Sequence, residues 1–233
     1  MKKFSGHTEP WGDFVDIKEN APEVLTGQLQ RLKKNSRINF STVCDAYQPI
    51  ESKSKITRHC LKTLLPYRHS VSILTKSPLV LRDIDILKQL HDIEIGFTIT
   101  TMDNMVKRVF EPRTPPARKV LDAIHALSKY KIPTWVFVAP VLPGLTDHPR
   151  HINDLIRSAQ DAGARYVMFD TLNPYPKVWR NVRKLVSSHF PAAAQEMDLY
   201  KQTPETQKNL LKNTIERAAL EHLIPCKIAF GCG

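Results

Sequence analysis

Residues 41–58, STVCDAYQPIESKSKITR, carry the reading of the fold. A short apolar run at 38–43 ends there in a cysteine, an acid and an aromatic: Cys44, Asp45 and Tyr47. Pro49 stops the extended segment, and Lys53, Lys55 and Arg58 lead into a helical pattern at Leu61, Leu64 and Leu65. A strand, a polar exit and then a helix form the unit of a parallel α/β protein, whose functional groups gather at the carboxyl ends of the strands. The competing reading is an ordinary turn with solvated charges.

The same unit repeats along the chain. Apolar runs at 70–75 (SVSILT), 93–100 (IEIGFTIT), 134–141 (TWVFVAPV) and 166–172 (YVMFDTL) are rich in β-branched and aromatic residues and too short for helices. Helical patterns at about 79–91, 115–131 and 149–162 separate them, and Ala21, Leu25, Leu29 and Leu32 mark an earlier helix face. In the 115–131 pattern Thr114 is the expected cap, Pro115 suits the first turn, and Val120, Ile124 and Leu127 share a face. Near-continuously apolar strands between amphipathic helices predict a parallel sheet covered by helices, doubly wound or curled into part of a barrel. Residues 1–20 read as a covering segment anchored by Trp11 and Phe14. The stretches 190–200 and 203–222 read as further helices, and the tail IPCKIAFGCG as a last short strand. With no repeat, low-complexity tract or linker, one domain is expected, with a core over about 20–172 and a helical part over about 177–233.

Composition narrows the function. An apolar content of 42% over 233 residues is enough to fill a core. No run of about 18 apolar residues is available to span a bilayer, and MKKFSGHTEPWGDF lacks a signal-peptide core, so a cytoplasmic protein with no membrane partner is expected. Cys44, Cys60, Cys226 and Cys232 are too sparse for a disulfide framework, and C-x15-C and C-x5-C are not usual metal spacings. CxxC, HExxH, GxGxxG and P-loop motifs are absent. Thirty-four basic against 23 acidic residues leave a charge of +11, which implies an anionic partner such as nucleic acid. In KVWRNVRK, Lys177, Arg180, Arg183 and Lys184 surround Trp179. Cations there suit a phosphate backbone and the indole suits a base, as against the plain wet face of a helix.

Read together, the strand exits are Cys44–Asp45, Thr75–Lys76, the run TITTMD, the run APVLPG, and Asp170, Thr171 and Asn173. This ordered set resembles the radical S-adenosylmethionine superfamily, and within it the spore photoproduct lyase-like proteins described as DNA repair photolyases. The segments that carry the resemblance are DAYQPIE, TRHCLKTLL, TKSPLVLRDIDIL, TTMDNMVKRVFEPRTPPARKVLDAIHAL and IPTWVFVAPVLPGLTD, over about residues 20–163. The resemblance implies a partial (β/α) TIM-type barrel with helices outside and a helical C-terminal extension. It also implies reductive cleavage of S-adenosylmethionine by a [4Fe-4S] cluster, giving a 5′-deoxyadenosyl radical that takes hydrogen from a substrate.

The superfamily's CxxxCxxC cluster motif is absent from this sequence. Similar proteins carry it just before a segment like residues 1–23. The expectation is therefore a chain that starts after the cluster loop, lacks the first barrel strand and is inactive alone, with the cluster only in the full-length form and no metal ligands here. For S-adenosylmethionine the resemblance implies Lys76 at the methionyl carboxylate, Asp45, Cys44 and Thr98 at the amino group or ribose hydroxyls, and Ala139 near the adenine. Cys44 is also the candidate catalytic thiol, able to return a hydrogen atom to a carbon radical, with a plain contact as the alternative. Glu111, Arg113 and Arg118 are expected to form a structural ion pair, with substrate binding as the alternative, and Thr146 and Asp147 a turn and a helix cap. Two other functions fit the residues: a basic nucleic-acid-binding module without catalysis, and a barrel lyase or aldolase with a Schiff base on Lys76.

Overall fold

Each strand of the chain takes its place beside the one before it. β1 (Arg37–Phe40), β2 (Ser70–Thr75), β3 (Asp92–Thr98), β4 (Thr134–Val141), β5 (Val167–Thr171) and β6 (Cys226–Ile228) form a parallel sheet in the order β1-β2-β3-β4-β5-β6. The computed structural model describes residues 6–9, 12–40 and 43–230. β1 does not pair with β6, so the sheet is an open partial barrel. Among the described residues no helix is long and apolar enough to cross a membrane.

Helices fill the crossovers. α1 (Ala21–Leu29) precedes β1, and α2 (Glu51–Ser54) and α3 (Ile56–Leu64) lead from β1 to β2. A 3-10 turn (Pro78–Asp83) and α4 (Ile84–Leu87) lead to β3; α5 (Asn104–Phe110) and α6 (Ala117–Lys129) lead to β4; α7 (Pro149–Asp161) leads to β5. In α6, Val120, Ala123, Ile124 and Leu127 are buried, the i, i+3, i+4, i+7 stripe that a helix lays against a sheet. On the strands the matching face is Val71 and Ile73, Ile95 and Phe97, Val136 and Val138, Val167 and Phe169, all in one core.

Several sequence expectations change in detail. The apolar run at 38–43 becomes a strand over Arg37–Phe40 with Val43 exposed beyond it, while Ser41 and Thr42, like Trp11 and Cys232, lie outside the described residues. Phe14 stacks on the His7 ring with centroids 3.8 Å apart. The pattern at 79–91 is first a 3-10 turn, because Asp83 is fully buried and fixed by its partners. Its carboxylate accepts from Tyr47 Oη (3.1 Å), Arg58 Nη1 (2.8 Å) and Arg82 Nε (2.8 Å). Burial alone would raise the Asp83 carboxyl, yet the two guanidiniums outweigh it and hold the group below its usual range. Arg82 also reaches Glu51 Oε1 (2.9 Å), whose Oε2 accepts from Thr57 N (3.1 Å), so the exit of β1, α2, α3 and the 3-10 turn form one connected unit.

The C-terminal part is helical, as expected, and its last helix also serves the sheet. After β5 come α8 (Pro176–His189), a 3-10 turn (Pro191–Ala193), α9 (Ala194–Gln202) and α10 (Pro204–His222). α10 packs against α7 and returns the chain to β6, which pairs with β5 at Val167↔Cys226. It is therefore the crossover helix of a further β/α unit, and the expected last strand at the tail is β6. Only α8 and α9 stand aside, over a second core that includes Val106, Leu142, Leu172, Trp179, Met197 and Tyr200.

The strand face turned from the helices carries larger and more polar groups. Gly96 lies opposite Trp135, and a Cβ on Gly96 would sit 2.4 Å from the indole. Trp135 stacks on Tyr166 with centroids 5.4 Å apart, and Lys227 Nζ lies 3.7 Å from the Tyr166 ring. Gly96 is thus the space into which this stack fits. Gly96→Ala is expected to lose about 1–3 kcal/mol of stability through overpacking, read by urea unfolding. Combining it with Trp135→Leu should cost less than the two single losses added. Full additivity would show that the glycine and the indole do not compete for the same space.

Candidate active site

Parallel strands deliver every strand exit to one edge of the sheet. There the Asp45 carboxylate ties the first two exits together. Its Oδ1 accepts from Tyr47 N (2.8 Å) and Thr75 Oγ1 (2.6 Å), and its Oδ2 accepts from Lys76 N (2.7 Å). A carboxylate oxygen takes about two hydrogen bonds; Oδ1 is filled and Oδ2 keeps one place for a ligand donor. Thr98, buried, ends β3 next to Phe97, which lies opposite Thr75. Ala139 joins Pro140 through a cis peptide at the end of β4, where the pairing with β5 shifts between Val138 and Val141. Cys44 is exposed beside Asp45. Cys44, Asp45, Lys76, Thr98 and Ala139 accordingly occupy the exits of β1 to β4 on a single edge.

The Lys76 ammonium has a partner that the sequence reading assigned elsewhere. It pairs with one oxygen of Glu111, while Lys107 Nζ donates to the other at 3.0 Å. Arg113 and Arg118 do not share in this pair, which corrects the expected Glu111–arginine contact. Lys107 and Glu111 stand four apart, a spacing that signals their own contact but not the one with Lys76. Burial alone would raise the Glu111 carboxyl; the charge and hydrogen bond of Lys76, then Thr100 and Lys107, hold it below its ordinary value.

Neighbouring loops are also built differently from expectation. The Thr114 hydroxyl donates to Glu111 O (3.0 Å) and does not cap α6. Leu142 N donates to Thr146 Oγ1 (2.7 Å) and Gly144 N to Asp147 Oδ1 (2.9 Å), closing the loop, while His148 caps α7. Gly144 has φ +71°, a conformation that L side chains rarely adopt.

On α8 the expected cationic face divides. Lys177, Arg180 and Lys184 are exposed. Trp179, only 6% exposed, stacks on Tyr200 inside the second core, so its ring is not open to a base. Arg183 is a bidentate partner of Asp198, through Nε–Oδ1 at 2.8 Å and Nη2–Oδ2 at 2.7 Å. Amphipathic spacing placed the indole among cations in sequence, but helix geometry turns position 179 to the apolar side.

Against protein families, residues 7–159 match the model of the radical SAM superfamily. The chain belongs to the radical SAM superfamily. A protein of Methanocaldococcus jannaschii, named as uncharacterised, is 40% identical over 137 residues, 59% of this chain and 51% of that protein. An uncharacterised protein of Mycobacterium tuberculosis (strain H37Rv) is 29% identical over 162 residues, 66% of this chain and 48% of that protein. The chain thus spans about half the length of the curated relatives it matches. Among solved structures, a spore photoproduct lyase variant with bound AdoMet and dinucleoside spore photoproduct superposes with a TM-score of 0.61. It is 15% identical, and the match covers 89% of this chain and 66% of that one. The AdoMet-bound enzyme anSMEcpe gives a TM-score of 0.53 at 13% identity, covering 93% of this chain and 56% of that one. At these identities the superpositions establish the radical SAM fold.

The two cofactors of the superfamily meet different donor sets here. For S-adenosylmethionine the edge supplies a cation, one open carboxylate acceptor and an exposed thiol, which suit an amino-acid head group. For an iron–sulfur cluster the described residues do not fit, since no three of their His, Cys, Asp or Glu side chains gather in a metal-holding group. Burial pushes the thiols of Cys60 and Cys226 up to about 11, away from the thiolate form that a cluster takes.

The Glu111 arrangement has a pH signature. Its folded carboxyl titrates below the unfolded value of 4.5, so its stabilisation is present above that value and is lost as pH falls through the folded pKa. Glu111→Gln is expected to lower the Tm at pH 7, with the deficit shrinking as both proteins are taken to pH 3 in thermal melts. A deficit unchanged between those pH values would show that the carboxylate charge is not its source.

Proposed function

We propose that this chain is the body of a radical S-adenosylmethionine enzyme that works in the cytoplasm on nucleic acid or another anionic substrate. The observation that carries the reading is the single edge shared by Asp45 and Lys76, joined through Lys76 N–H to Asp45 Oδ2 at 2.7 Å. In this reading the Lys76 ammonium takes the methionyl carboxylate and the open place on Asp45 Oδ2 takes the amino group. Thr98 and Cys44 line the ribose side, and the backbone at Ala139 meets the adenine. Glu111 is the resident counter-ion of Lys76, so a bound carboxylate shares or displaces it. The exposed Cys44 is the thiol placed to return a hydrogen atom.

When bound beside a reduced cluster, S-adenosylmethionine supplies radical chemistry that amino-acid side chains lack. The described residues hold no cluster, and the proposal assigns its ligands to a CxxxCxxC loop of a full-length form, leaving this chain inactive alone. The matches span 51% and 48% of the two relatives, which leaves room in those proteins for such a loop. The anionic substrate is supported by the charge of +11 and by the exposed Lys177, Arg180 and Lys184. A DNA lesion is the finer form of this reading, supported by the dinucleoside spore photoproduct named with the spore photoproduct lyase structure. A Schiff-base lyase is less well supported, because the Lys76 amine is engaged by Glu111 rather than left open to a substrate carbonyl.

Binding of S-adenosylmethionine to this chain, measured by isothermal titration, is expected to weaken about 10- to 100-fold in Lys76→Ala, the size of a lost charge-assisted hydrogen bond. Equal binding by parent and variant would remove Lys76 from the site. Anaerobic reconstitution is expected to load four irons into a longer gene product carrying CxxxCxxC and no stable cluster into this chain. Four stable irons in this chain would overturn the ligand assignment.

A further inference from the structure

The loop between β3 and β4 encloses a cleft of about 470 Å³ between α5 and the start of α6. Its walls include Asn104, Lys107, Arg108, Glu111 and Arg118, with Met102 and Pro116 as apolar surface. The volume falls in the range of small-ligand sites, and the wall is mixed polar and apolar. Its charge is one-sided. Glu111 is the one carboxylate in the lining, and it already serves Lys76 and Lys107. Arg108 and Arg118, both exposed, form no ion pair or side-chain hydrogen bond among the described residues, so no protein carboxylate neutralises them in the lining.

Backbone geometry adds to the same sign. α6 begins at Ala117 after Pro115 and Pro116, no side chain caps it, and no acidic residue stands in its first turn. Ala117 and Arg118, whose amides open that helix, both line the cleft. A 13-residue helix directs partial positive charge from such an end. Two unpaired guanidiniums, an amide side chain and an uncapped helix end therefore line a space with one, already paired, carboxylate. Guanidiniums in this setting suit the bidentate oxygens of a phosphate.

We infer that this cleft binds a phosphate ester of about nucleotide size, with Arg108 and Arg118 on the phosphate and Met102 and Pro116 against its less polar part. The inference deepens the reading of a nucleic acid or other anionic substrate and rests on that part of the proposed function, not on the S-adenosylmethionine site. The phosphate belongs either to a free mononucleotide or to the backbone of a strand. α5 bears Arg108 on the cleft and packs through Val106 and Phe110 into the core shared with α8, so the cleft and the cations of α8 lie on adjoining elements.

The test uses the full chain with three probes, inorganic phosphate, a mononucleotide and a labelled single-stranded oligonucleotide, by titration calorimetry and fluorescence anisotropy. Arg108→Gln and Arg118→Gln, each checked for unchanged circular dichroism and unchanged S-adenosylmethionine binding, are expected to weaken a phosphate-bearing probe about tenfold. The parent affinity is expected to fall with added salt. Loss for the mononucleotide assigns the site to a free nucleotide; loss for the oligonucleotide alone assigns it to a strand. Oligonucleotide binding that Lys177→Gln/Arg180→Gln/Lys184→Gln abolishes, but that both arginine variants keep, would overturn the cleft while leaving the nucleic-acid reading standing. Failure of every probe with the parent would overturn both.

Discussion

Two neighbouring parallel strands can be joined only by a connection that carries the chain back to the other end of the sheet. Five such returns, each to the adjacent position, place the exits of β1 to β5 on one edge, and the remaining architecture follows from that constraint. Ile and Val rows on one strand face meet the helices, and the exits are left to polar groups. Asp45 reinforces the arrangement by tying the β1 exit to the β2 exit through two donors, Thr75 Oγ1 and Lys76 N. Asp83 does so one layer behind, where a fully buried carboxylate is tolerated because two arginines and a tyrosine surround it.

The edge is electrostatically self-contained without a ligand. Lys76 has Glu111, Glu111 has Lys107, and Asp45 has most of its hydrogen bonds. Such pairing keeps the side chains in place and means that a ligand carboxylate competes with Glu111 rather than entering a bare cationic hole. In the cleft that Glu111 also lines, by contrast, Arg108 and Arg118 have no carboxylate partner among the described residues. The one acid of that lining thus serves two lysines, Lys76 and Lys107, and neither arginine.

The helical excursion of α8 and α9 extends this edge. It is inserted between β5 and the crossover helix α10 and held by the stack of Trp179 on Tyr200 and by the Arg183–Asp198 pair. Both interactions use residues that in sequence look like ligand contacts. Their structural use leaves Lys177, Arg180 and Lys184 as the outward cations of α8.

Local pattern alone determined the parallel α/β class, the strand runs from β2 to β5, the helix over α6 and the ordering of Cys44, Asp45, Lys76, Thr98 and Ala139 on successive exits. Short apolar runs, 3.6-residue periodicity and Pro breaks act within a few residues, so they can be read along the chain. The family motifs, also contiguous, were equally legible. Partner choice was decided by the tertiary structure: Glu111 turning to Lys76 across 35 positions instead of to Arg113, Trp179 turning inward, and α10 serving also as a crossover. Those outcomes depend on which distant groups packing brings within a few ångströms, where charge pairing and apolar burial are strong, and no local spacing in a sequence encodes that distance.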